Sequence, residues 1–330
     1  MATYKGIKGV KVQSLSSDPP AVTSIGEVWY NTASGALKYS IEGAGTWAAS
    51  NPLNAGRNAL GAQTGTQTAA LCMDGRGNES TLNVTELYDG TSWTEVADSV
   101  STLYGRGSFG TQTAAISAGG QGPPASSVAE TWDGTSWALT TGINEARRDA
   151  AGFGIQAAGL ITTGKTSTAV TATTEIWNGS TWTEVNNANT ARQEVAAANG
   201  SPVTAGLIFG GNVPGPATNA TESWDGTCWT EVNNLVVART YMAGSGIQTS
   251  ALGIAGHTTT PGVPGYTATT ESWDGTSWTE VGDLASARNS LGGCGTSSSA
   301  LCFGGYYIGV VNLTEEWDDP AYSIKTVTTS

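Results

Sequence analysis

The sequence predicts an all-β fold, a β-propeller of six four-stranded blades, and a repeated stretch carries most of that prediction. A glutamate, an aromatic residue two positions later and a second aromatic residue five positions further on recur six times. Successive copies are spaced by 44, 45, 47, 49 and 44 residues, counted from the first aromatic residues Tyr88, Trp132, Trp177, Trp224, Trp273 and Trp317. A repeat period in the forties with several short strands per unit is typical of a propeller.

Composition supports the same fold class and limits the partners. Glycine accounts for 45 of the 330 residues and only 12% of residues are charged, which suits short strands joined by tight turns and disfavours helices. The chain has 14 basic and 27 acidic residues, a net charge of −13, so its surface repels a phosphate backbone. We therefore expect no nucleic-acid partner.

The cysteines and the apolar segments give no sign of metal binding, secretion or a membrane span. The four cysteines lack metal-ligand spacing, and we expect Cys72 and Cys302 to be small core residues, with disulfides as the alternative. No apolar run approaches the roughly 20 residues that cross a bilayer, so we expect no membrane insertion. The basic N-terminal segment lacks the apolar region of a secretory signal peptide.

Each repeat predicts four strands, a to d, between recognisable turns. Strand a follows an arginine that lies ten residues after the preceding second aromatic residue, as Arg147 lies after Trp137. In the second repeat Leu103 occupies this position, and Arg106 lies three residues further on. Strand b ends at one or two glycines, and strand c ends in Glu-x-aromatic. An Asp-Gly or Asn-Gly turn then leads into strand d.

The first 44 residues lie outside the repeat. Residues 1–25 include Ser-Ser-Asp-Pro-Pro, which excludes a helix or a central strand there and predicts an extended arm. Residues 26–44 place two β-rich segments around an Asn-Thr-Ala-Ser-Gly turn and predict a β-hairpin, and residues 45–330 form the propeller.

Two segments compete for the fourth strand of the last blade. Gly45–Ala49 resembles a strand d, and so does the segment that includes Tyr322, the second aromatic residue after Trp317. Whichever segment does not complete the blade packs outside it, with the hairpin. A seventh, atypical blade built from the hairpin is the alternative.

The order of these features resembles the kelch repeat. An arginine, an apolar strand, a double glycine, an aromatic residue and a second tryptophan follow one another through roughly residues 40–325. Kelch proteins fold as β-propellers of four-stranded blades, so the resemblance implies the same architecture. The two aromatic residues lie closer together here than in typical kelch units, which implies a shorter turn between strands c and d.

The N-terminal segments resemble the beginning of fibre or appendage proteins of tailed bacteriophages, on MATYKGIKGVKVQSLSSDPP and GEVWYNTASGALKYS. This resemblance implies a virion structural protein, assembled in the host cytoplasm as part of a multi-copy particle. It implies that the arm docks on other virion proteins through Tyr4, Lys5, Ile7, Lys8, Val10 and Val12. The propeller would then be presented for binding to host-surface glycans or proteins. The alternatives are a glycan-acting hydrolase and a generic kelch scaffold for protein interactions.

The repeated acidic residues predict a structural role and no catalysis. A catalytic residue breaks the symmetry of a repeat, whereas the glutamates two residues before the aromatic residues occur in every copy. We expect each of them to accept hydrogen bonds from an arginine or from turn amides. His257 is the only histidine, which excludes a catalytic triad and a copper site that needs histidine ligands. We therefore expect no enzyme, no metal and no cofactor.

Binding residues are expected where the copies differ in length. The fifth repeat is longer between strands b and c, and the fourth is longer between Arg192 and Gly211. Insertions on a rigid scaffold commonly carry recognition, although neutral variation in loop length explains them equally well. The candidate ligand- or partner-binding residues are His257, Thr259, Pro261, Val263, Pro264 and Tyr266 in the fifth repeat and Asn199 and Pro202 in the fourth.

Overall fold

The computed structural model describes residues 12–20, 24, 26–60, 62–122, 124–259, 265–319 and 321–327. Within these residues every regular element is a β-strand, and 28 strands form seven four-stranded sheets, an architecture consistent with a β-propeller. The described part contains no helix long and apolar enough to cross a membrane. The chain divides into two compact units, residues 1–46 with 319–330, and residues 47–318.

The first unit contains one sheet, in the order β1-β2-β3-β28. Its strands are β1 (Gln13–Leu15), β2 (Val28–Asn31), β3 (Ala36–Gly43) and β28 (Ala321–Thr326). Strands β2 and β3 form the predicted hairpin, while β1 pairs with β2 in parallel. Asp18 accepts hydrogen bonds from Trp29 and Asn31 and forms an ion pair with Lys38 at 2.6 Å. These bonds, that of Lys38 foremost, lower the pKa of Asp18 to about 2.

The second unit contains six sheets, the repeat sheets, each of four strands in the order a, b, c, d, and all strand pairs of the first five are antiparallel. Sheet 1 comprises β5 (Ala62–Thr66), β6 (Ala69–Arg76), β7 (Thr81–Tyr88) and β8 (Trp93–Val96). Sheet 2 comprises β9 (Gly107–Thr111), β10 (Ala114–Ala118), β11 (Ala129–Trp132) and β12 (Trp137–Thr140). Sheet 3 comprises β13 (Ala151–Ile155), β14 (Ala158–Thr162), β15 (Thr174–Trp177) and β16 (Trp182–Val185).

The other three repeat sheets follow the same order. Sheet 4 comprises β17 (Ala196–Ala197), β18 (Gly206–Phe209), β19 (Thr221–Trp224) and β20 (Trp229–Val232). Sheet 5 comprises β21 (Ala243–Ile247), β22 (Ser250–His257), β23 (Tyr266–Trp273) and β24 (Trp278–Glu280). Sheet 6 comprises β25 (Gly292–Gly295), β26 (Ser299–Phe303), β27 (Thr314–Asp318) and β4 (Thr46–Ser50).

The fourth strand of sheet 6 therefore comes from the N-terminal side of the chain. Strand β28, which contains Tyr322, pairs with β3 instead. In the other repeat sheets the two aromatic rings lie 5.0 to 5.4 Å apart, and in sheet 6 the ring at this distance from Trp317 is that of Trp47, at 5.4 Å. Of the two arrangements that the sequence left open, the structure has the one in which residues 45–49 supply strand d.

The turn between strands c and d has the predicted tight geometry, as sheet 5 illustrates. Asp274 Oδ1 accepts hydrogen bonds from the backbone N–H groups of Thr276 and Ser277, both at 2.8 Å. Gly275 has a φ of +92°, a conformation that glycine adopts without steric cost. The repeated Asp-Gly pair is therefore a turn signal, since the carboxylate holds the backbone of the hairpin.

The core of the repeat sheets is formed by strand b and by the aromatic pairs. Strand b is almost continuously buried in every repeat sheet, as in Ala70, Leu71, Cys72 and Met73. All four cysteines are free thiols; Cys72, Cys294 and Cys302 are buried and Cys228 is exposed. Burial raises the pKa of Cys72 to about 12. The prediction that Cys72 and Cys302 are core residues is confirmed.

Each repeat sheet contains a buried ion pair between an arginine and the strand c glutamate; we refer to these as the frame pairs. They are Arg57–Glu86, Arg106–Glu130, Arg147–Glu175, Arg192–Glu222, Arg239–Glu271 and Arg288–Glu315. The glutamates also accept hydrogen bonds from turn amides, such as that of Asn189 to Glu222 at 2.7 Å. The predicted partners of the glutamates are confirmed, and these bonds compensate for the loss of water around each buried charge.

Sheet 2 forms its frame pair with an arginine from a different position. Arg106 reaches Glu130 at 2.9 Å, although Leu103 holds the usual arginine position. The same Nη1 atom lies 3.2 Å from Asp74 of sheet 1, which also accepts a hydrogen bond from Ser99. Because Asp74 is buried and shares its arginine with Glu130, its pKa is raised to about 7, burial being the main cause.

Candidate functional site

A cycle of backbone hydrogen bonds joins the six repeat sheets at the residues that lead into strand a. At this position, just before strand a, each sheet has one residue with a φ between +47° and +62°: Ala59, Gly105, Asp149, Glu194, Tyr241 and Ser290. Each donates its N–H to the carbonyl of the corresponding residue in the preceding sheet, at 2.7 to 3.2 Å, and Ala59 donates to Ser290. The unusual backbone conformation recurs in every sheet, and in every sheet the residue that adopts it both donates and accepts a bond of this cycle.

Two side-chain positions per sheet lie next to this cycle; we refer to them as the rim. The residue before each positive-φ residue forms an isolated antiparallel bridge with the residue after the last glycine of strand b. The first rim position holds Asn58, Tyr104, Arg148, Gln193, Thr240 and Asn289. The second rim position holds Arg76, Gln121, Lys165, Asn212, His257 and Tyr306. Unlike the frame pairs, the second rim position carries a different residue type in each sheet.

A pocket of about 340 Å³ is lined by residues of five repeat sheets, and in four of them these include rim residues. Its wall includes Asn58 and Arg76 of sheet 1, Tyr104 of sheet 2, Arg148 of sheet 3, and Asn289 and Tyr306 of sheet 6. Sheet 5 contributes Tyr241 and Tyr266. The volume is near the lower end of the roughly 300–1,000 Å³ that small-molecule sites occupy. We refer to this cavity as the rim pocket.

Aromatic rings form two sides of the rim pocket. The Arg76 guanidinium lies 5.2 Å from the centre of the Tyr104 ring, a cation–π contact. The Tyr266 ring lies 5.6 Å from His257, 6.1 Å from Tyr306 and 5.5 Å from Tyr307. Flat apolar faces with polar edges are common in sites that bind polar ligands of moderate size, because one residue supplies both packing and hydrogen bonding.

Two members of the cycle, Asp149 and Glu194, carry acidic side chains with little exposure to solvent. Asp149 pairs with Arg148 at 2.5 Å, and burial raises the pKa of Asp149 to about 6. Glu194 accepts hydrogen bonds from Thr240 at 2.6 Å and Gln193 at 2.9 Å. Burial and the neighbouring Glu194 carboxylate raise the pKa of Tyr241 above its ordinary value. Asp149, in the wall of the rim pocket, therefore has a charged partner, whereas Glu194 is held by hydrogen bonds from neutral side chains.

Of the fifth-repeat candidates, two lie at the rim pocket. Tyr266 forms part of its wall, and the His257 ring contacts that of Tyr266. Thr259 is exposed, and its Oγ1 accepts a hydrogen bond from the Ala217 N–H at 3.1 Å. Pro261, Val263 and Pro264 lie outside the described residues.

The fourth-repeat candidates make contacts within the chain. Asn199 donates from Nδ2 to the Gly293 carbonyl at 2.6 Å and to that of Gln63 at 3.4 Å, and so joins sheets 4, 6 and 1. It lines a separate cavity of about 40 Å³. The Pro202 carbonyl accepts a hydrogen bond from the Ala205 N–H at 3.0 Å. A ligand-binding role for these two residues stays a prediction.

Most of the predicted docking arm lies outside the residues that the structure describes. Tyr4, Lys5, Ile7, Lys8 and Val10 lie outside the described residues. Val12 is exposed and directly precedes β1. The virion-docking role of these residues stays a prediction.

Differences in loop length do not indicate most of the rim residues. Arg76, Tyr104, Arg148 and Tyr306 belong to copies of ordinary length. In the sequence, a rim position holds polar, cationic or aromatic residues in different repeats and lies directly after a residue that the repeats share. The first rim position follows the frame arginine in five sheets, and the second follows the last glycine of strand b in all six.

The described residues contain no group of three or more His, Cys, Asp or Glu side chains that could hold a metal ion. Comparison of the sequence with protein-family models and with curated proteins gives no match. The residues of the site itself offer aromatic faces, amides, two arginines and a neighbouring histidine.

Proposed function

We propose that residues 47–318 are a kelch-like β-propeller of six blades and that the rim pocket is its ligand-binding site. The proposal extends to a phage virion appendage that binds host-surface glycans. The observation that carries the binding role is the variation at the rim. The frame pairs are the same in every sheet, whereas the rim positions differ from sheet to sheet, and six rim residues line one pocket. A rigid repeat with divergent positions on one face is the usual design of a recognition surface.

Contacts between sheets 1 and 6 support six blades. In sheets 2, 4 and 5 the second tryptophan donates from Nε1 to a strand c threonine of the preceding sheet, as Trp137 does to Thr85 and Trp278 to Thr221. Trp93 of sheet 1 donates to Thr314 of sheet 6 in the same way, at 3.0 Å.

The alternative of seven blades would require the β1-β2-β3-β28 sheet to join the ring. That sheet contains a parallel pair, whereas all strand pairs of sheets 1 to 5 are antiparallel. The cycle of backbone hydrogen bonds returns from Ser290 directly to Ala59, which leaves no bond for a seventh member. Six blades therefore fit the contacts better than seven.

A glycan is favoured as ligand by the side chains of the rim pocket. Sugar rings present C–H groups that pack on the negative face of an aromatic ring, and the pocket offers the rings of Tyr104, Tyr266 and Tyr306. The hydroxyl groups of a sugar require hydrogen-bond donors and acceptors at the edge of the pocket, which Asn58 and Asn289 supply. This mixture is that of a binding site. Asp149, the acidic residue in the described wall of the pocket, is held in an ion pair with Arg148, which favours binding over the hydrolase alternative.

The binding role is tested by incubating the full chain with surface polysaccharides of the host. We expect the protein to be retained on the polysaccharide, and Tyr104→Ala to lower the affinity at least tenfold, because it removes a ring of the pocket wall. Leu139→Ala, an exposed apolar residue outside the rim, is the matched control. New reducing ends would favour the hydrolase instead, and retention unchanged by Tyr104→Ala would contradict a site at the rim.

The virion role rests on the resemblance of the N-terminal segments to appendage proteins, and it has its own test. In a variant that lacks residues 1–25, the repeat sheets should melt at the temperature that they have in the full chain, since they begin after these residues and only the first unit loses β1 and Asp18. In cells that assemble the particles, we expect this variant to be absent from purified particles. Its incorporation at the level of the full chain would contradict docking through the arm and would leave the kelch scaffold as the better interpretation.

A further inference from the structure

We propose that the ligand of the rim pocket is an acidic saccharide, one that carries a carboxylate group. This inference rests on the proposed glycan-binding role and adds the charge of the ligand. Its basis is the distribution of basic residues in the second unit, which is otherwise strongly acidic.

Residues 47–318 contain 9 basic residues against 23 acidic ones. Six of the nine are the arginines of the frame pairs, buried against glutamates. The remaining three are Arg76, Arg148 and Lys165, and all three occupy rim positions. Every positive charge of this unit that does not hold the fold together therefore lies at the rim.

Two of these three cations have no acidic partner within the described residues. Arg76 is exposed and stacks on Tyr104, and Lys165 is half-buried beside Arg148, to which it is bridged through the backbone. Arg148 pairs through Nη1 with Asp149, so this carboxylate offsets one charge. The rim pocket nevertheless has both Arg76 and Arg148 in its wall against Asp149 alone.

The geometry of Arg76 suits a carboxylate. Its guanidinium lies over the Tyr104 ring at the wall of the pocket, and a planar guanidinium presents two parallel N–H donors to the two oxygens of a carboxylate. Asn58 Oδ1, in the same wall, is buried without a hydrogen-bond partner and can accept a bond from a sugar hydroxyl. A carboxylate next to a hydroxylated ring satisfies both groups at once, which a simple anion does not.

Matched saccharides test the charge of the ligand. The full chain is titrated with oligomers of galacturonic acid and glucuronic acid and with sialyllactose, each beside its methyl ester, which keeps the ring and removes the charge. We expect at least one acid to bind tenfold or more tightly than its ester, and its affinity to fall with added salt because part of the attraction is electrostatic. The inference is overturned if no acid binds more tightly than its ester.

Variants locate the effect at the rim. Arg76→Gln should weaken binding of the acid roughly tenfold, the loss of a charge-assisted hydrogen bond, and should leave binding of the ester unchanged. Lys325→Gln removes the same charge from an exposed position in the first unit and is the control, with no effect expected. Both replaced side chains are exposed, so equal melting temperatures are expected and verify the fold.

The outcomes separate this inference from the function on which it rests. If acid and ester bind equally and both require Tyr104, the glycan site stands and the inference about charge is wrong. If polyglutamate competes with an affinity equal to that of the best acid, the ligand is an acidic peptide and the saccharide assignment fails. If no saccharide of either charge binds, the proposed function fails with it.

Discussion

Replacing Glu222 by alanine should destabilise the repeat sheets by about 3–5 kcal/mol, the usual cost of removing one partner of a buried ion pair. Arg192 lies 2.9 Å from Glu222, and both side chains are fully buried. The guanidinium would keep its bonds to the Gly210 and Ala220 carbonyls but lose its ion-pair partner. The Asn189 N–H, which donates to the same carboxylate, would lose that acceptor as well.

Thermal melting of the full chain measures this effect. For a domain of this size a loss of that magnitude lowers the melting temperature on the order of 10 °C. Glu231→Ala is a matched control, because Glu231 lies directly opposite Glu222 on the next strand and is exposed. We expect the control to stay near the wild-type temperature, since exposed charges contribute little. Equal melting of the two variants would show that the frame pair does not stabilise the sheet.

A double variant distinguishes the cost of leaving the Arg192 charge unpaired from the cost of losing the hydrogen bonds of that side chain. Arg192→Met combined with Glu222→Leu removes both ions, so that no buried charge is left without a partner. We expect it to melt above Glu222→Ala, because the uncompensated arginine is the larger part of the single loss. A double variant less stable than the single one would mean that the bonds of Arg192 to the carbonyls matter more than its charge.

The repeat could be predicted from the sequence because its signals are local. The glutamate, the two aromatic residues and the turn between them lie within eight consecutive positions, and the same hydrogen bonds form wherever that segment recurs. The bond between Arg106 and Glu130 could not be predicted, because a sequence shows that the arginine is displaced but not where its side chain reaches. The shared partner Asp74 belongs to another sheet, so no spacing within the repeat indicates it.

Of the residues at the rim pocket, the sequence indicated only those that lie next to an insertion. His257 and Tyr266 stand out because the fifth repeat is longer, but the pocket also needs Asn58 and Tyr306, which are more than 240 residues apart. Their proximity follows from the cycle of hydrogen bonds between sheets, and no local pattern encodes it. At Asn199, also marked by an insertion, the side chain bonds to the backbone of two other sheets, a contact that the length of the insertion does not indicate.

Removal of β4 should be as destabilising as the loss of a frame pair. Without β4 the last repeat sheet has three strands, and β27 becomes an unpaired edge. Trp47, which packs on Trp317 at 5.4 Å and donates to Thr270 at 3.1 Å, is lost with it. Loss of a fully buried tryptophan costs about 3–5 kcal/mol; Trp47 is half-buried, so its loss costs less, and the lost strand pairing adds to this.

Two truncations isolate this strand. A chain that begins at residue 45 and one that begins at residue 51 both lack β1, β2 and β3, and only the second also lacks β4. We expect the longer chain to melt cooperatively and the shorter one to melt at least 10 °C lower, on the scale that links stability to melting temperature. A peptide of residues 44–56 should restore part of the difference when added to the shorter chain, whereas the same peptide with Trp47→Ala should restore less.

The truncations also decide between the two strands that the sequence offered for the last blade. In both truncated chains β28 has lost its partner β3 and is free to move. If the segment that includes Tyr322 can serve as strand d, it would replace β4, and the two chains would melt alike. A large difference between them means that the repeat needs the tryptophan at position 47 and that the two ends of the repeat array must meet for the sixth sheet to be complete. The order of folding would then follow from topology, since the last sheet cannot form until residues about 270 apart have come together.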